Sequence, residues 1–206
     1  MSKIQANKIQ HTASGAAEFT LPTSDGSANQ VIKTDGSGTL AFVSQPIAGI
    51  SAAQQFRLAS GEGGSGVAGT VLTNWQSTMT TYEAIGSNWS QSSGVFSCSA
   101  TGIYLCMWTM VVSDTSTGDA FDPNVQISTD SGSNYTTRSR SWAHISSGTV
   151  NRASPAGQFM FDVTNTSTFR LRYRQSQAND VASASVIAGS SSENLTNIMF
   201  IRLGDT

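Results

Sequence analysis

The densest group of residues that could take part in binding chemistry is a run of arginines near the C-terminus. The segment Phe169-Arg-Leu-Arg-Tyr-Arg174 alternates apolar and basic residues, so a β-strand here puts Arg170, Arg172 and Arg174 on its outward face. Guanidinium groups form paired hydrogen bonds with carboxylates and phosphates, so this ridge could bind an acidic polysaccharide. The alternative is a solvated or interface-facing strand whose arginines pair with nearby aspartates, which is the more common situation for a charge run.

Two other groups of polar residues could form a metal site or a catalytic site. Asp114, Asp119 and Asp122 lie in one predicted loop, but calcium takes about six to eight oxygen ligands and the spacing here is irregular. A turn capped by aspartate side chains is the simpler interpretation. The two histidines, His11 and His144, do not belong to a recognisable nucleophile motif. We therefore predict that the protein is not an enzyme and that it binds no cofactor and no metal.

The elements that carry these residues are predicted to be β-strands. Charged residues make up 12% of the chain, and a chain rich in Ser, Thr and Gly is typical of short strands joined by tight turns. Residues 95–98 alternate like a half-buried strand, whereas residues 103–112 are apolar at almost every position. A strand that is apolar on both faces needs cover on both. We therefore expect one face to lie against another subunit, with Tyr104, Trp108 and Met110 at that interface.

The spacing Gly94-x-Phe-x-Cys98 followed by Gly102-x-Tyr-x-Cys106 resembles the central hairpin of the C1q/TNF-like jelly roll. Gln55–Leu58 and Asn197–Gly204 would be the first and last strands, so that the resemblance covers roughly residues 51–206. It implies an all-β jelly-roll sandwich that assembles as a homotrimer through Tyr104, Trp108 and Met110. Cys106 stands where the family usually has an aromatic residue, and the loops are unusually rich in Ser, Gly and Thr. Loop-borne properties of the family are therefore not carried over.

Net charge and hydropathy exclude several classes of partner. The net charge is −2, so no overall positive field attracts nucleic acid. The longest apolar run, about ten residues, is half of what a membrane span requires. The first fifteen residues contain lysines but no continuous apolar core, so we expect synthesis in a cytoplasm rather than secretion. In that compartment Cys98 and Cys106, on opposite arms of the predicted hairpin, are expected to be buried free thiols.

The first fifty residues contain a near-repeat built on two Asp-Gly turns, Thr23–Ser27 and Lys33–Ser37. Residues 30–33 and 39–43 are predicted to be the arms of a small hairpin. Its apolar surface is too small to sustain a core alone, so the segment must be ordered by threefold wrapping or by docking on a larger body.

The segment Phe19–Val43 resembles one that is common in structural and tail-fibre proteins of bacteriophages, especially those of marine and cyanobacterial hosts. The resemblance implies a virion-attachment segment at residues 1–45, a linker at 46–54 and a jelly-roll head at 55–206. The residues expected to anchor the protein to a phage capsid or tail protein are Phe19, Leu21, Val31, Ile32, Leu40 and Phe42.

Together the two resemblances predict a virion protein that is synthesised in the host cytoplasm. The first hypothesis is a trimeric capsid decoration or cement protein, or a head fibre, anchored by its N-terminus and projecting the jelly-roll head. The alternative is a tail-fibre or receptor-binding adhesin that binds host surface polysaccharide through Arg170, Arg172 and Arg174. The lack of a long shaft or coiled coil favours a compact appendage.

Overall fold

The computed structural model describes residues 6–10, 18–44, 49–63, 69, 71–77, 84–114, 119–145, 151–176 and 186–206. The chain divides into two compact units, residues 1–49 and 50–206. Across the described ranges no helix is long and apolar enough to cross a membrane. The strands of the described residues are β1 Lys8–Gln10, β2 Glu18–Thr20, β3 Gln30–Thr34, β4 Leu40–Ser44, β5 Ala52–Leu58, β6 Glu62–Gly63, β7 Trp75–Gln76, β8 Trp89–Ser92, β9 Val95–Cys98, β10 Gly102–Thr109, β11 Val112–Asp114, β12 Asp119–Phe121, β13 Pro123–Ser128, β14 Thr136–Arg140, β15 Ala143–Ile145, β16 Asn151–Ala153, β17 Ala156–Val163, β18 Arg170–Gln175, β19 Val186–Ile187 and β20 Asn197–Gly204.

The first unit consists of two small antiparallel ribbons. Strand β1 pairs with β2, and β3 pairs with β4. The second ribbon confirms the hairpin that was predicted from residues 30–33 and 39–43. None of residues 6–10 and 18–44 is buried. The described part of this unit therefore has no core of its own, as its short apolar segments led us to expect.

The two Asp-Gly turns of the first unit need glycine for different reasons. The carboxylate of Asp35 accepts hydrogen bonds from the backbone N–H groups of Ser37 and Thr39, which lowers the pKa of Asp35. This turn places Gly36 at a φ of +83°, where residues with a side chain are strained. Gly26 is required by packing, because a Cβ atom there would lie 2.6 Å from Cδ1 of Phe42.

The second unit is a sandwich of two five-stranded antiparallel sheets. Sheet I has the strand order β17-β10-β20-β5-β7, and sheet II has the order β14-β13-β18-β9-β8. The inward side chains of both sheets form an aromatic core in which the rings of Trp89 and Phe200 stack with their centroids 4.0 Å apart. A four-stranded sheet, β16-β11-β19-β6, and the β12–β15 pair complete the described strands of this unit.

The predicted central hairpin is wrong, because its two arms belong to different sheets. Strand β9 lies in sheet II beside β18, and β10 lies in sheet I between β17 and β20. Each arm carries apolar residues at alternate positions. Those of β9 are buried on the inward face of sheet II, and those of β10 are buried on the inward face of sheet I. Cys98 and Cys106 are buried free thiols.

The predicted linker also needs a correction, since β5 begins at Ala52 rather than at Gln55. Ala52 and Gln54 are buried in sheet I, and the side-chain amide of Gln54 donates to the backbone carbonyl of Trp89. The last three residues of the predicted linker, 52–54, are therefore part of the first strand of the sandwich. Only the tertiary pairing with β20 reveals this, because Ala and Gln carry a weak strand signal.

The residues that were predicted to form the subunit interface lie instead in the core of a single chain. Tyr104 and Met110 are fully buried, Trp108 is 1% exposed, and the indole N–H of Trp108 donates to Oγ of Ser139 at 2.9 Å. Side chains alternate along β10, so these residues share the inward face with Cys106. The alternate residues of β10, which are Ile103, Leu105 and Met107, face out of the sandwich.

Candidate interaction surfaces of the sandwich

The outer face of sheet I is apolar along its neighbouring strands β10 and β20. On β10, Ile103 is 39% exposed, and Leu105 and Met107 are half-buried. Residues that are directly opposite one another in an antiparallel sheet have their side chains on the same face. The strand pairing therefore identifies the side chains of β17, β20 and β5 that lie beside Leu105 and Met107. One row is Met160–Leu105–Ile201–Ala53, and the next is Gln158–Met107–Met199–Gln55. We call Ile103, Leu105, Met107, Met160, Met199 and Ile201 the apolar face.

A groove of about 280 Å³ lies beside edge strand β17 and continues the apolar face around the edge of the sandwich. Met160 belongs to both surfaces and is 68% exposed. The rings of Phe161 and Phe169 stack in the wall of the groove with their centroids 5.4 Å apart. The other lining residues are Ile127, Thr129, Arg138, Phe159 and Asp162. The groove is thus an aromatic hollow with one cation and one carboxylate.

The outer face of sheet II carries the arginines. The alternation predicted for β18 is confirmed, since Leu171 and Tyr173 are fully buried whereas the arginines between and beside them are half-buried. Cross-strand pairing places Asn124 of β13 between Arg140 of β14 and Arg174 of β18. In the neighbouring row Gln126 lies beside Arg172. We call Arg140, Arg172, Arg174, Asn124 and Gln126 the arginine face.

Each arginine of β18 is partly held by uncharged groups of the protein. Arg172 donates from Nε to the side-chain oxygen of Gln126 at 2.7 Å, and its guanidinium lies 3.9 Å from the centroid of the Tyr135 ring. Arg174 donates to the backbone carbonyl of Gly69 at 2.8 Å. Arg170 donates to two backbone carbonyls at the start of β18, at the opposite end of the strand from Arg174. Among the described residues, none of these three arginines forms a salt bridge with a carboxylate.

Asp122 is the carboxylate that faces this group. Its Oδ1 lies 3.2 Å from Nε of Arg140, and its side chain is 5% exposed. Burial raises the pKa of Asp122, while the nearby Arg140 and Arg174 pull it down. The two arginines therefore favour the ionised form of a carboxyl that desolvation disfavours.

The loop of aspartates does not gather around one point in the described structure. Asp114 ends β11, Asp119 begins β12, and Asp122 pairs with Arg140. Within the described ranges no three acidic, His or Cys side chains are grouped closely enough to hold a metal. His144 is exposed on β15, opposite Ala120, and His11 lies outside the described residues.

Trp142 is a surface residue that the sequence reasoning missed. It is 69% exposed, and the guanidinium of Arg140 lies 5.8 Å from the centroid of its ring. Arg138, Arg140 and Trp142 alternate in the sequence, which is the signal that could have pointed to Trp142. That signal was weak because β14 ends at Arg140, before the tryptophan.

The six predicted anchoring residues lie in the first unit, and none of them is buried. Ile32 is 54% exposed, and Phe19 and Val31 are each about 40% exposed. The other three line an open cavity of about 470 Å³ together with the Asp25-Gly26 turn; they are Leu21, Leu40 and Phe42. The described part of the first unit thus offers apolar side chains that a larger body could cover.

Two five-stranded antiparallel sheets packed around an aromatic core define a TNF-like jelly-roll sandwich. The chain is similar in structure to murine APRIL, with a TM-score of 0.51 and 16% identity over 74% of this chain and 98% of that one. It is also similar to Eiger TNF from S. frugiperda, with a TM-score of 0.54 and 12% identity over 75% of this chain and 93% of that one. No family model and no curated protein matches the sequence. At these identities the likeness confirms the predicted all-β jelly roll and shows the fold alone.

Proposed function

We propose that this protein is a non-catalytic structural protein of a bacteriophage virion. In this proposal the sandwich forms the head of a homotrimer, and residues 1–45 attach it to a capsid or tail protein as a decoration, cement or head-fibre protein. The single observation that carries the proposed assembly is the apolar face, because contiguous exposed apolar surface marks a protein–protein contact.

The trimer rests on the way in which the apolar face continues into the groove beside β17. A face that packs against a different surface of the next copy forms a head-to-tail contact, and such contacts close into a ring when the rotation permits. Met160 stands at the junction of the two surfaces, so one copy would present its apolar face to the edge of the next. A trimer is also what the resemblance to the C1q/TNF-like jelly roll implies.

The attachment role rests on the first unit. Its described residues have no buried core, and Phe19, Val31 and Ile32 are exposed apolar side chains. Such a segment gains stability when a larger partner covers it. The resemblance of Phe19–Val43 to phage structural proteins supports a virion partner.

The arginine face favours a second candidate function, a receptor-binding adhesin. A mechanical cement needs no cluster of guanidinium groups on the surface away from its subunit contacts. An adhesin that recognises acidic host polysaccharide does need one, and a trimer would present three copies and gain avidity.

The experiment that tests the first candidate uses particles that lack this protein. Full-length chain is expected to be trimeric by light scattering and to bind such particles. The chain without residues 1–45 is expected to remain trimeric and to fail to bind. A monomeric wild-type protein, or a truncated chain that decorates particles as well as full-length chain does, would reject the proposal.

A further inference from the structure

We propose that the arginine face, together with Trp142, is a binding site for an acidic oligosaccharide, with Arg172 and Arg174 contacting its carboxylate or sulfate groups and Trp142 stacking on a sugar ring. This inference rests on the second candidate function above and names its ligand class and its residues. It extends the site beyond the arginines of β18 to Arg140 and Trp142 on and beside β14.

The first argument is the imbalance of charge. Arg140 lies on β14 and Arg172 and Arg174 lie on β18, the two strands that flank β13, and among the described residues their one carboxylate partner within 4 Å is Asp122, which pairs with Arg140. Burial and the nearby Arg174 lower the pKa of Arg172, so these two cations already disfavour one another. An anion bound between them would relieve that repulsion.

The second argument is the supply of hydrogen-bond donors. A guanidinium has five N–H groups, and each described contact of Arg172 and Arg174 uses one nitrogen. Gln126 and Tyr135 fix the orientation of Arg172, which reduces the entropy that binding would cost. The site is therefore oriented in advance and retains free donors.

The third argument is Trp142. A tryptophan that is 69% exposed leaves a flat apolar ring in water beside a guanidinium. The C–H face of a sugar ring can cover such an indole, while arginine contacts the acidic substituent of the same sugar. A stacking ring next to cations is also compatible with single-stranded nucleic acid. Sites for single-stranded nucleic acid stack successive bases on several aromatic side chains, whereas Trp142 is the one largely exposed aromatic ring that the described residues place beside these arginines, so we favour the oligosaccharide.

The test is calorimetric titration of full-length protein with four short probes, namely a uronic-acid tetrasaccharide, a sulfated tetrasaccharide, a neutral glucose tetrasaccharide and a single-stranded oligodeoxynucleotide. We expect at least one acidic tetrasaccharide to bind, the neutral one to bind much more weakly, and the affinity to fall as salt rises. The two acidic probes distinguish carboxylate from sulfate as the group recognised. Oligodeoxynucleotide binding as tight as that of the better tetrasaccharide would overturn the proposal.

Variants then locate the site. Arg172→Gln is expected to weaken acidic tetrasaccharide binding about tenfold, because it removes a charge-assisted contact. Trp142→Ala, at an exposed position where folding is not at risk, is expected to weaken it about fivefold. Asp122→Asn frees Arg140 and is expected to tighten binding. The matched control is Arg152→Gln, which removes an exposed arginine of β16 and should change nothing.

The inference fails if neither acidic tetrasaccharide binds, or if the control variant loses as much affinity as Arg172→Gln and Trp142→Ala do. None of these variants touches the apolar face or residues 1–45. Their effect on oligosaccharide binding is therefore separable from trimer formation and particle attachment, which are measured on the same samples by light scattering and by binding to particles that lack the protein.

Discussion

Met160→Gln is the substitution that tests the proposed trimer most directly. Met160 is 68% exposed at the junction of the apolar face and the groove beside β17, and glutamine keeps the length of the side chain while making it hydrophilic. Because the side chain makes no contribution to the monomer core from this position, the variant is expected to fold normally and to assemble poorly.

The size of the effect follows from the exposed fraction. Complete burial of a methionine side chain stabilises by about 2 to 3 kcal/mol, so covering the exposed 68% contributes roughly 2 kcal/mol at each interface. Three equivalent interfaces give roughly 6 kcal/mol per trimer, which is about four orders of magnitude in the trimer association constant. The midpoint concentration of a monomer–trimer equilibrium varies as the square root of that constant, so the midpoint should rise about 100-fold.

Analytical ultracentrifugation over a dilution series measures this midpoint, and circular dichroism checks that the variant is folded. The matched control is Trp142→Gln, which changes an equally exposed apolar side chain, 69% exposed, outside sheet I. An unchanged midpoint in a folded Met160→Gln variant, or an equal shift in the control, would refute the assignment of the interface to the apolar face.

Three further predictions concern packing, pH and adsorption. Gly157→Ala should destabilise the fold by about 1 to 3 kcal/mol in urea denaturation, because the new Cβ would lie 2.6 Å from Cε2 of the buried Trp108. The control is Gly204→Ala, which has open space around its Cβ and should have no comparable effect. Hydrogen bonds from Ser128 and Asn134 hold the pKa of Asp130 at about 2, below the unfolded value of 3.8, so its stabilising contribution is present above pH 3.8 and is lost as the pH falls toward 2. Thermal melts should therefore show a stability gap between wild type and Asp130→Asn that closes over this window, and a gap that stays constant or widens would contradict the assignment. Replacing Arg170, Arg172 and Arg174 together by Gln should leave particle assembly intact. If the protein is an adhesin, the triple variant should reduce both the adsorption of particles to host cells and the salt dependence of that adsorption. Unchanged adsorption, together with weakened capsids when the protein is omitted, would favour decoration.

The sequence by itself determined the strands whose pattern is local. Phe169–Arg174 alternates apolar and basic residues, and this fixes both the strand and the face on which its arginines lie, because one side of the strand must be buried. The hairpin of the first unit and the last strand, Asn197–Gly204, were predictable for the same kind of reason: turn residues and apolar runs act over a few neighbouring positions.

The tertiary structure decided what alternation leaves open. In residues 103–112 the even-numbered and the odd-numbered side chains are almost all apolar. The sequence pattern therefore does not predict whether Tyr104 and Trp108, or Leu105 and Met107, face inward. Packing settled this, because the large aromatic rings fill the space between the sheets and the thinner aliphatic residues remain outside. Likewise, the contact of Arg172 with Gln126 joins strands β18 and β13, which are distant along the chain and adjacent in sheet II, and no local pattern encodes that adjacency.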